Sequence, residues 1–310
     1  MPADSAIVVS HVSHRYGSRV AVDDLSLEVR EGEIFVFLGP NGSGKTTLFR
    51  VLSTLIPLED GSVSILGHDL QSETYAVRSA LGIVFQAPSL DKKLTVAENL
   101  HHQGRLYGLP ASELRSRTEK MLASLGVADR AGDLVETLSG GMRRRVELAK
   151  GMLHQPRMLL MDEPSTGLDP GARADLWHYL RQVREAEGVT VVLTTHLLEE
   201  AERADRIAIM HHGRLAALDT PAALQASVGG DSITIRTERP VELAEQVREK
   251  FQCEATVLDG TVHLEQPDGH QWISRLVEAF PGEIQTVTLG KPTLEDVFID
   301  RTGHRFLNDE

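Results

Sequence analysis

The segment Glu33–Ile56, EIFVFLGPNGSGKTTLFRVLSTLI, constrains this chain more than any other stretch of it. Residues Ile34 to Leu38 form an apolar run without polar alternation, the pattern of a strand buried on both faces of a parallel sheet. A glycine-rich turn follows, and beyond Lys45 the apolar residues Leu48, Val51, Leu52 and Leu55 recur at helical spacing. Strand, glycine loop and helix in this order match the pattern G-x-x-x-x-G-K-[ST], with Gly39, Gly44, Lys45 and Thr46 at its fixed positions.

The chemistry accounts for these residue types. Glycines allow a tight turn whose backbone N–H groups point inward at a polyphosphate, with no Cβ in the way. The helix that starts near Gly44 adds the positive end of its dipole. Lys45 is placed to reach β- and γ-phosphates, and the Thr46 hydroxyl to sit on Mg²⁺.

Two further apolar runs repeat the theme. Met158 to Met161 ends in Asp162-Glu163-Pro164, and Val189 to Leu193 ends in Thr194-Thr195-His196. Three predicted buried strands thus each deliver polar groups at their C-terminal ends, the edge where open parallel sheets bind ligands. Ile7 to Val9 and Leu25 to Val29 read as strands of an antiparallel edge sheet, with Tyr16 in a turn-like stretch between them, a side chain able to stack on a purine. Gly61 to Ile65 and Ile83 to Phe85 read as further strands, the second leading into Gln86. From Leu94 to Glu136 the pattern turns helical, with a capping box at Thr95 and Glu98 and a core face of Leu114, Met121, Leu122 and Leu125. Ser139 is placed to cap a further helix whose first turn is glycine-rich, a second helix N-terminus suited to an anion. Arg143 to Arg145 reads as a solvated helix face.

Composition excludes several functions. A net charge of −13 over 310 residues argues against non-specific nucleic-acid binding. Cys253 is the single cysteine, so no internal disulfide is available and a reducing cytosol fits. No apolar run approaches the ~18 residues of a membrane span, and the N-terminus lacks a signal peptide's apolar core. Any membrane task is expected to run through another chain. The pairs His101-His102 and His211-His212 lack metal-ligand spacing and are expected at the surface.

Across roughly Ile7 to Ala226 the chain resembles the nucleotide-binding subunit of an ABC transporter. The order of motifs is the family's: Tyr16, GPNGSGKT, the Gln86 loop, LSGGM, MLLMDEP, STGLDP and His196. The phosphate loop alone would indicate any P-loop NTPase; LSGG shortly before the aspartate strand narrows the resemblance to ABC. Met142 departs from the glutamine more usual after LSGG. With the arginines that follow, it resembles the subgroup serving drug- and antibiotic-exporting permeases, of the daunorubicin-resistance type. The ending PTLEDVF, Pro292 to Phe298, resembles that subgroup's accessory C-terminal domain.

The resemblance implies an α/β fold: a P-loop ABC ATPase domain over residues 1–228, with a parallel core sheet, an antiparallel edge sheet and a helical subdomain over about 90–152. It implies ATP contacts at Tyr16, at Gly39, Pro40, Asn41, Gly42, Ser43, Gly44, Lys45, Thr46 and Thr47, and, from a second copy, at Ser139, Gly140, Gly141 and Asp169. Mg²⁺ would be held by Thr46, Gln86 and Asp162; Glu163 would polarise the attacking water, and His196 would contact the γ-phosphate. Catalysis is thereby assigned to Glu163, His196, Gln86 and Lys45. The function implied is ATP-driven homodimer closure that rearranges a separate permease, on the cytoplasmic face of the membrane, for export. A soluble ABC ATPase and a nucleotide-binding module without turnover are the competing readings.

Residues 229–310 read as a second domain. Its predicted elements are strand 232–236, helix 241–251, strand 255–258, the hairpin turn Asp259-Gly260, strand 261–265, helix 272–280 and strand 284–289. That β-α-β-β-α-β order is a ferredoxin-like split motif. From Ala226 onward the chain carries eight basic and sixteen acidic residues, and Thr293-x-x-Asp296 is placed to cap a last helix. Docking or regulation is the expectation there, since no residue in it suggests catalysis.

Overall fold

The computed structural model describes residues 5–306. Strands β1 (Ser5–Tyr16) and β2 (Arg19–Arg30) form a long antiparallel hairpin, followed by β3 (Ile34–Leu38) and helix α1 (Lys45–Leu52). Next come β4 (Asp60–Ile65), β5 (His68–Asp69), α2 (Thr74–Ala80) and β6 (Leu81–Val84). A helical stretch holds α3 (Val96–Leu106), α4 (Ala111–Ser124) and α5 (Gly140–Met152). It leads into β7 (Met158–Asp162), α6 (Pro170–Glu187), β8 (Thr190–Thr195), α7 (Leu198–Ala201), β9 (Arg206–His211) and β10 (Arg214–Asp219).

These elements make two sheets. The antiparallel one has the order β2-β1-β4-β5, and the six-stranded one the order β10-β9-β3-β8-β7-β6. Strand β3 pairs in parallel with both β8 and β9, and β7 pairs in parallel with β8 and β6. Every residue of β3, β7 and β8 is buried, as unalternating apolar runs require. One core joins the inner face of the antiparallel sheet (Ile7, Val9, Val22, Leu25) to Phe35 and Phe37 of β3 and to Leu48, Val51 and Leu52 of α1. Fully burying side chains of this size stabilises by about 1.5–3 kcal/mol each.

The first hairpin is longer than the alternating runs 7–9 and 25–29 predicted. Register shifts between Val9 and Val12 and between Val12 and His14, together with the left-handed backbone of His11 and Asp24, break the alternation within β1 and β2. Tyr16 accordingly ends a strand instead of sitting in a turn. Strand β6 stops at Val84, one residue before the predicted Phe85, and leaves Gln86 in an exposed loop.

Contacts divide the chain into compact units Met1–Leu218 and Asp219–Glu310. This boundary corrects the expected 228/229. Helix α8 (Pro221–Val228) belongs with the second unit because it packs against a later helix of that unit, where Arg301 donates to Ser227 Oγ at 3.1 Å. After α8 come β11 (Asp231–Arg236), α9 (Pro240–Phe251), β12 (Thr256–Leu258), β13 (Thr261–Gln266), α10 (Gly269–Ala279), β14 (Thr286–Gly290) and α11 (Leu294–Thr302), the helix that receives α8. The four strands form an antiparallel sheet in the order β12-β13-β11-β14. Leu258 pairs with Thr261 across Asp259 and Gly260, both at positive φ, as a two-residue hairpin loop demands. Ile233, Ile235, Leu243, Val247, Trp272 and Leu276 form this unit's own core.

Candidate functional site

The loop between β3 and α1 is shaped by what its glycines permit. Gly44 caps α1 at φ +101°, a region closed to most side chains, and a Cβ there would lie 2.4 Å from the Ala21 carbonyl oxygen. A Cβ on Gly39 would lie 2.4 Å from the Met210 carbonyl oxygen. The loop is thus pressed against β2 and β9 with no room to thicken. Gly44, Lys45 and Thr46 carry the first N–H groups of the helix, which no carbonyl of the helix itself can satisfy.

Lys45 is 4% exposed, and its Nζ donates to the Gly39 and Pro40 carbonyls at 2.7 and 2.8 Å. Burial lowers its pKa to about 8, against the pull of Glu163 and Asp162. A buried ammonium held only by two neutral carbonyls is suited to an anionic partner. A cavity of about 390 Å³ opens beside it, lined by Tyr16, Arg19, Asn41, Gly42, Gly44, Lys45, Thr46, Thr47, Arg50 and Glu163. Tyr16 is half exposed at its rim and meets His14 edge-on at 4.9 Å. Ser43 is buried in the loop behind it.

The acidic pair sits where β7 ends. Thr194 of β8 donates to Asp162 Oδ1 at 2.6 Å and accepts the Glu163 N–H at 2.9 Å. Burial raises the Asp162 pKa, with the Thr194 hydrogen bond opposing it. Glu163 stands at φ +42°, a conformation that costs a non-glycine residue of order 1–3 kcal/mol and turns its side chain at the edge of the sheet. Its Oε2 accepts from Gln86 Nε2 at 3.3 Å and from Thr166 Oγ1 at 3.1 Å. His196 Nδ1 lies 3.2 Å from the same oxygen, close enough for an ion pair but without a hydrogen-bonding angle.

Sequence reasoning therefore named groups that the fold gathers: the phosphate loop, Asp162, Glu163, Gln86 and His196. The other set, expected at a second copy's nucleotide, lies apart from the cavity at Lys45. Ser139 caps α5 by accepting the Met142 N–H at 3.2 Å, Asp169 caps α6 by accepting the Ala172 N–H at 2.9 Å, and neither lines the cavity at Lys45. Gly140 instead borders a neighbouring cavity of about 300 Å³ with Gln86 and Glu163, and Gly141 packs near Ala172.

Two readings fail. Arg144 is not on a solvated face: it is 8% exposed and donates from Nε to the Pro164 carbonyl at 2.7 Å and from Nη1 to the Phe85 carbonyl at 2.8 Å. The basic run concealed that, because α5 turns the middle arginine inward while Arg145 pairs with Asp175 at 2.6 Å. Thr194 was named only as part of the polar end of its strand and was given no role of its own. A hydroxyl inside the last turn of an apolar strand run is the signal that marks it.

Among the described residues no three His, Cys, Asp or Glu side chains gather to hold a metal by themselves. The oxygen donors Thr46 and Asp162 nevertheless fit a hard divalent cation, which takes its remaining ligands from phosphate and water.

The sequence pattern described as "ABC transporter" matches residues 22–166. Over 307 residues the chain is 40% identical to a daunorubicin resistance ATP-binding protein of Streptomyces coeruleorubidus, covering 97% of each. The chain belongs to the ABC transporter ATP-binding family. A linearmycin resistance ATP-binding protein of Bacillus subtilis (strain 168) is 36% identical over 310 residues, covering 96% of this chain and 98% of that one. Among solved structures of ABC proteins, an ATP-binding subunit superposes with a TM-score of 0.65 at 28% identity, over 72% of this chain and 93% of that one. An ATP-binding cassette in a dimeric post-hydrolysis state with ADP and Pi superposes with a TM-score of 0.63 at 26% identity, over 69% of this chain and 98% of that one. As an ABC ATPase the chain binds and hydrolyses ATP. Among the described residues no helix is long and apolar enough to cross a membrane.

Proposed function

We propose that this chain is the ATP-hydrolysing subunit of an exporter of drugs or other small molecules, working as a homodimer on the cytoplasmic face of a separate permease. Two of its relatives are named for daunorubicin and linearmycin resistance and others for Nod factor export, which favours this over a soluble ABC ATPase acting on DNA or ribosomes. The net charge of −13 likewise speaks against nucleic acid as a partner.

The geometry supports a role for each residue. The N–H groups and Lys45 of the phosphate loop bind the polyphosphate, and Tyr16 stacks on the base from the cavity rim. Mg²⁺, when bound, neutralises charge on the β- and γ-phosphates. Thr46, Asp162 and Gln86 are the residues to hold it. Glu163 orients a water and takes its proton. His196, at the end of β8, faces the γ-phosphate beside Glu163. The Ser139–Gly141 turn and Asp169 belong to the second copy's site; that none of them lines the cavity at Lys45 supports this.

One observation carries this reading: a carboxylate fixed by Gln86 and Thr166 lines the same cavity as a buried lysine on a phosphate loop. The test is phosphate release from MgATP by the parent and by Glu163→Gln. The substitution should cut turnover by about 10²–10⁴-fold while ATP still binds, since an amide cannot accept the water's proton. Parental turnover in the variant removes Glu163 from the role.

A further inference from the structure

Helix α5 begins at the glycine-rich turn capped by Ser139, and one of its faces carries Arg144, Glu147 and Lys150 at intervals of three. All three reach the loop that carries Gln86. The Arg144 guanidinium donates to the Phe85 carbonyl at 2.8 Å, just before Gln86. Glu147 Oε1 accepts the Ser89 N–H at 2.9 Å, and Lys150 Nζ donates to the Ser89 carbonyl at 2.7 Å, just after it. Arg144 also donates from Nε to the Pro164 carbonyl at 2.7 Å, next to Glu163, and pairs with Glu147 Oε2 at 2.7 Å. Arg144 and Glu147 are 8% and 6% exposed, so water does not compete for these bonds.

The planar fork of one arginine thus ties together three segments distant in sequence: the helix behind the Ser139 turn, the approach to Gln86 and the exit from Glu163. Gln86 and Glu163 are themselves in contact at 3.3 Å, at the long end for such a bond, and Thr166 donates to the same Glu163 oxygen at 3.1 Å. Neither residue is anchored to the other by backbone pairing, because β6 ends at Val84 and β7 at Asp162.

We propose that Arg144 is a positioning residue for hydrolysis, setting Gln86 and Glu163 at their working separation and tying both to helix α5. The proposal rests on the ATPase reading above. Arg144 does not line the cavity at Lys45 and acts only through the two loops it holds. Because the Ser139 end of α5 is assigned to the other copy's nucleotide, the same fork carries engagement at one site to the hydrolytic groups of the other.

The experiment compares the full-length parent with Arg144→Lys. A lysine keeps a cation beside Glu147 but lacks the rigid fork that reaches two carbonyls from separate nitrogens. The kcat for MgATP should fall by about a hundredfold, the scale of a 1 Å misplacement, while the Kd for ATP, by calorimetry, stays within about twofold of the parent. In a Gln86→Ala background the same substitution should cost much less, because one of the residues it positions is already gone. If Arg144→Lys does not fold, Arg144→Gln combined with Glu147→Gln leaves no buried charge unpaired and carries the same comparison. Unchanged kcat, an ATP affinity that falls in step with kcat, or additive losses in the cycle would each overturn the proposal. A parent that releases no phosphate from MgATP overturns the ATPase reading itself, and the proposal with it.

Discussion

Thr194 and Asp162, 32 residues apart in sequence, share a 2.6 Å hydrogen bond at the ends of neighbouring parallel strands. The pairing register sets Asp162 opposite Thr194, so both side chains rise from the same face of the sheet. The Asp162 carboxylate is disfavoured by burial, and the hydroxyl donor is what keeps its ionised form accessible.

Thr194→Val should therefore destabilise the protein by about 1–3 kcal/mol, the cost of leaving a buried acceptor and N–H without a partner. The sign with pH is fixed. A raised folded-state pKa means that ionising Asp162 costs stability, and that cost appears as pH rises through the pKa. Because Thr194 favours the ionised form, the penalty of removing it should be larger near pH 8 than near pH 5 in urea unfolding. Equal penalties at the two pH values would contradict this electrostatic account.

Lys45 gives a second pH signature. Its pKa is lowered from 10.5 to about 8 by burial, so the unfolded chain binds the extra proton between those values. This group's contribution to stability of the free protein should rise with pH across that window. Polyphosphate favours the charged ammonium, so ATP binding near pH 8 should take up protons, and affinity should decline above about pH 8. Calorimetry in buffers of different ionisation enthalpy measures the uptake. It should vanish in Lys45→Met; a flat affinity from about pH 7 to about pH 10 would disprove the coupling.

The two-copy site is tested by mixing. Ser139→Arg and Lys45→Ala proteins should each be inactive alone. In a mixed dimer one site carries both lesions and the other neither, so ATPase activity should return. No recovery, with mixed dimers demonstrated by light scattering, would remove the head-to-tail arrangement.

The C-terminal unit holds none of the phosphate-handling residues and has a core of its own. Ending the chain at Leu218 should leave ATP affinity within about twofold of the parent, and residues 219–310 should unfold cooperatively by themselves. Lost affinity in a folded, shortened protein would assign the unit to the nucleotide site. Weaker ATP-dependent dimerisation of the shortened Glu163→Gln protein is the outcome expected of a docking role.

Much of this protein is written locally. The phosphate loop is legible because a tight anion-binding turn needs glycines at fixed spacing, and Gly39 and Gly44 leave no room for side chains. The capping boxes at Thr95 and Thr293 form as read, since their partners lie three residues away. The hairpin at Asp259-Gly260 is equally local. Short apolar runs announced β3, β7 and β8, because burial on both faces permits no regular alternation.

Other features depend on which strands become neighbours. Thr194 acquires its place only when β8 lies between β3 and β7, and nothing near it in sequence points to Asp162. Arg144 looked like one of three solvated arginines until α5 packed beneath two loops whose carbonyls needed donors. The boundary at Leu218 was decided the same way, by α8 packing against α11 far along the chain. Short-range hydrogen bonding and burial pattern are fixed by adjacent residues. Long-range pairing is fixed by the order of the strands, and that order places an arginine, a threonine and a helix where their sequence neighbours could not.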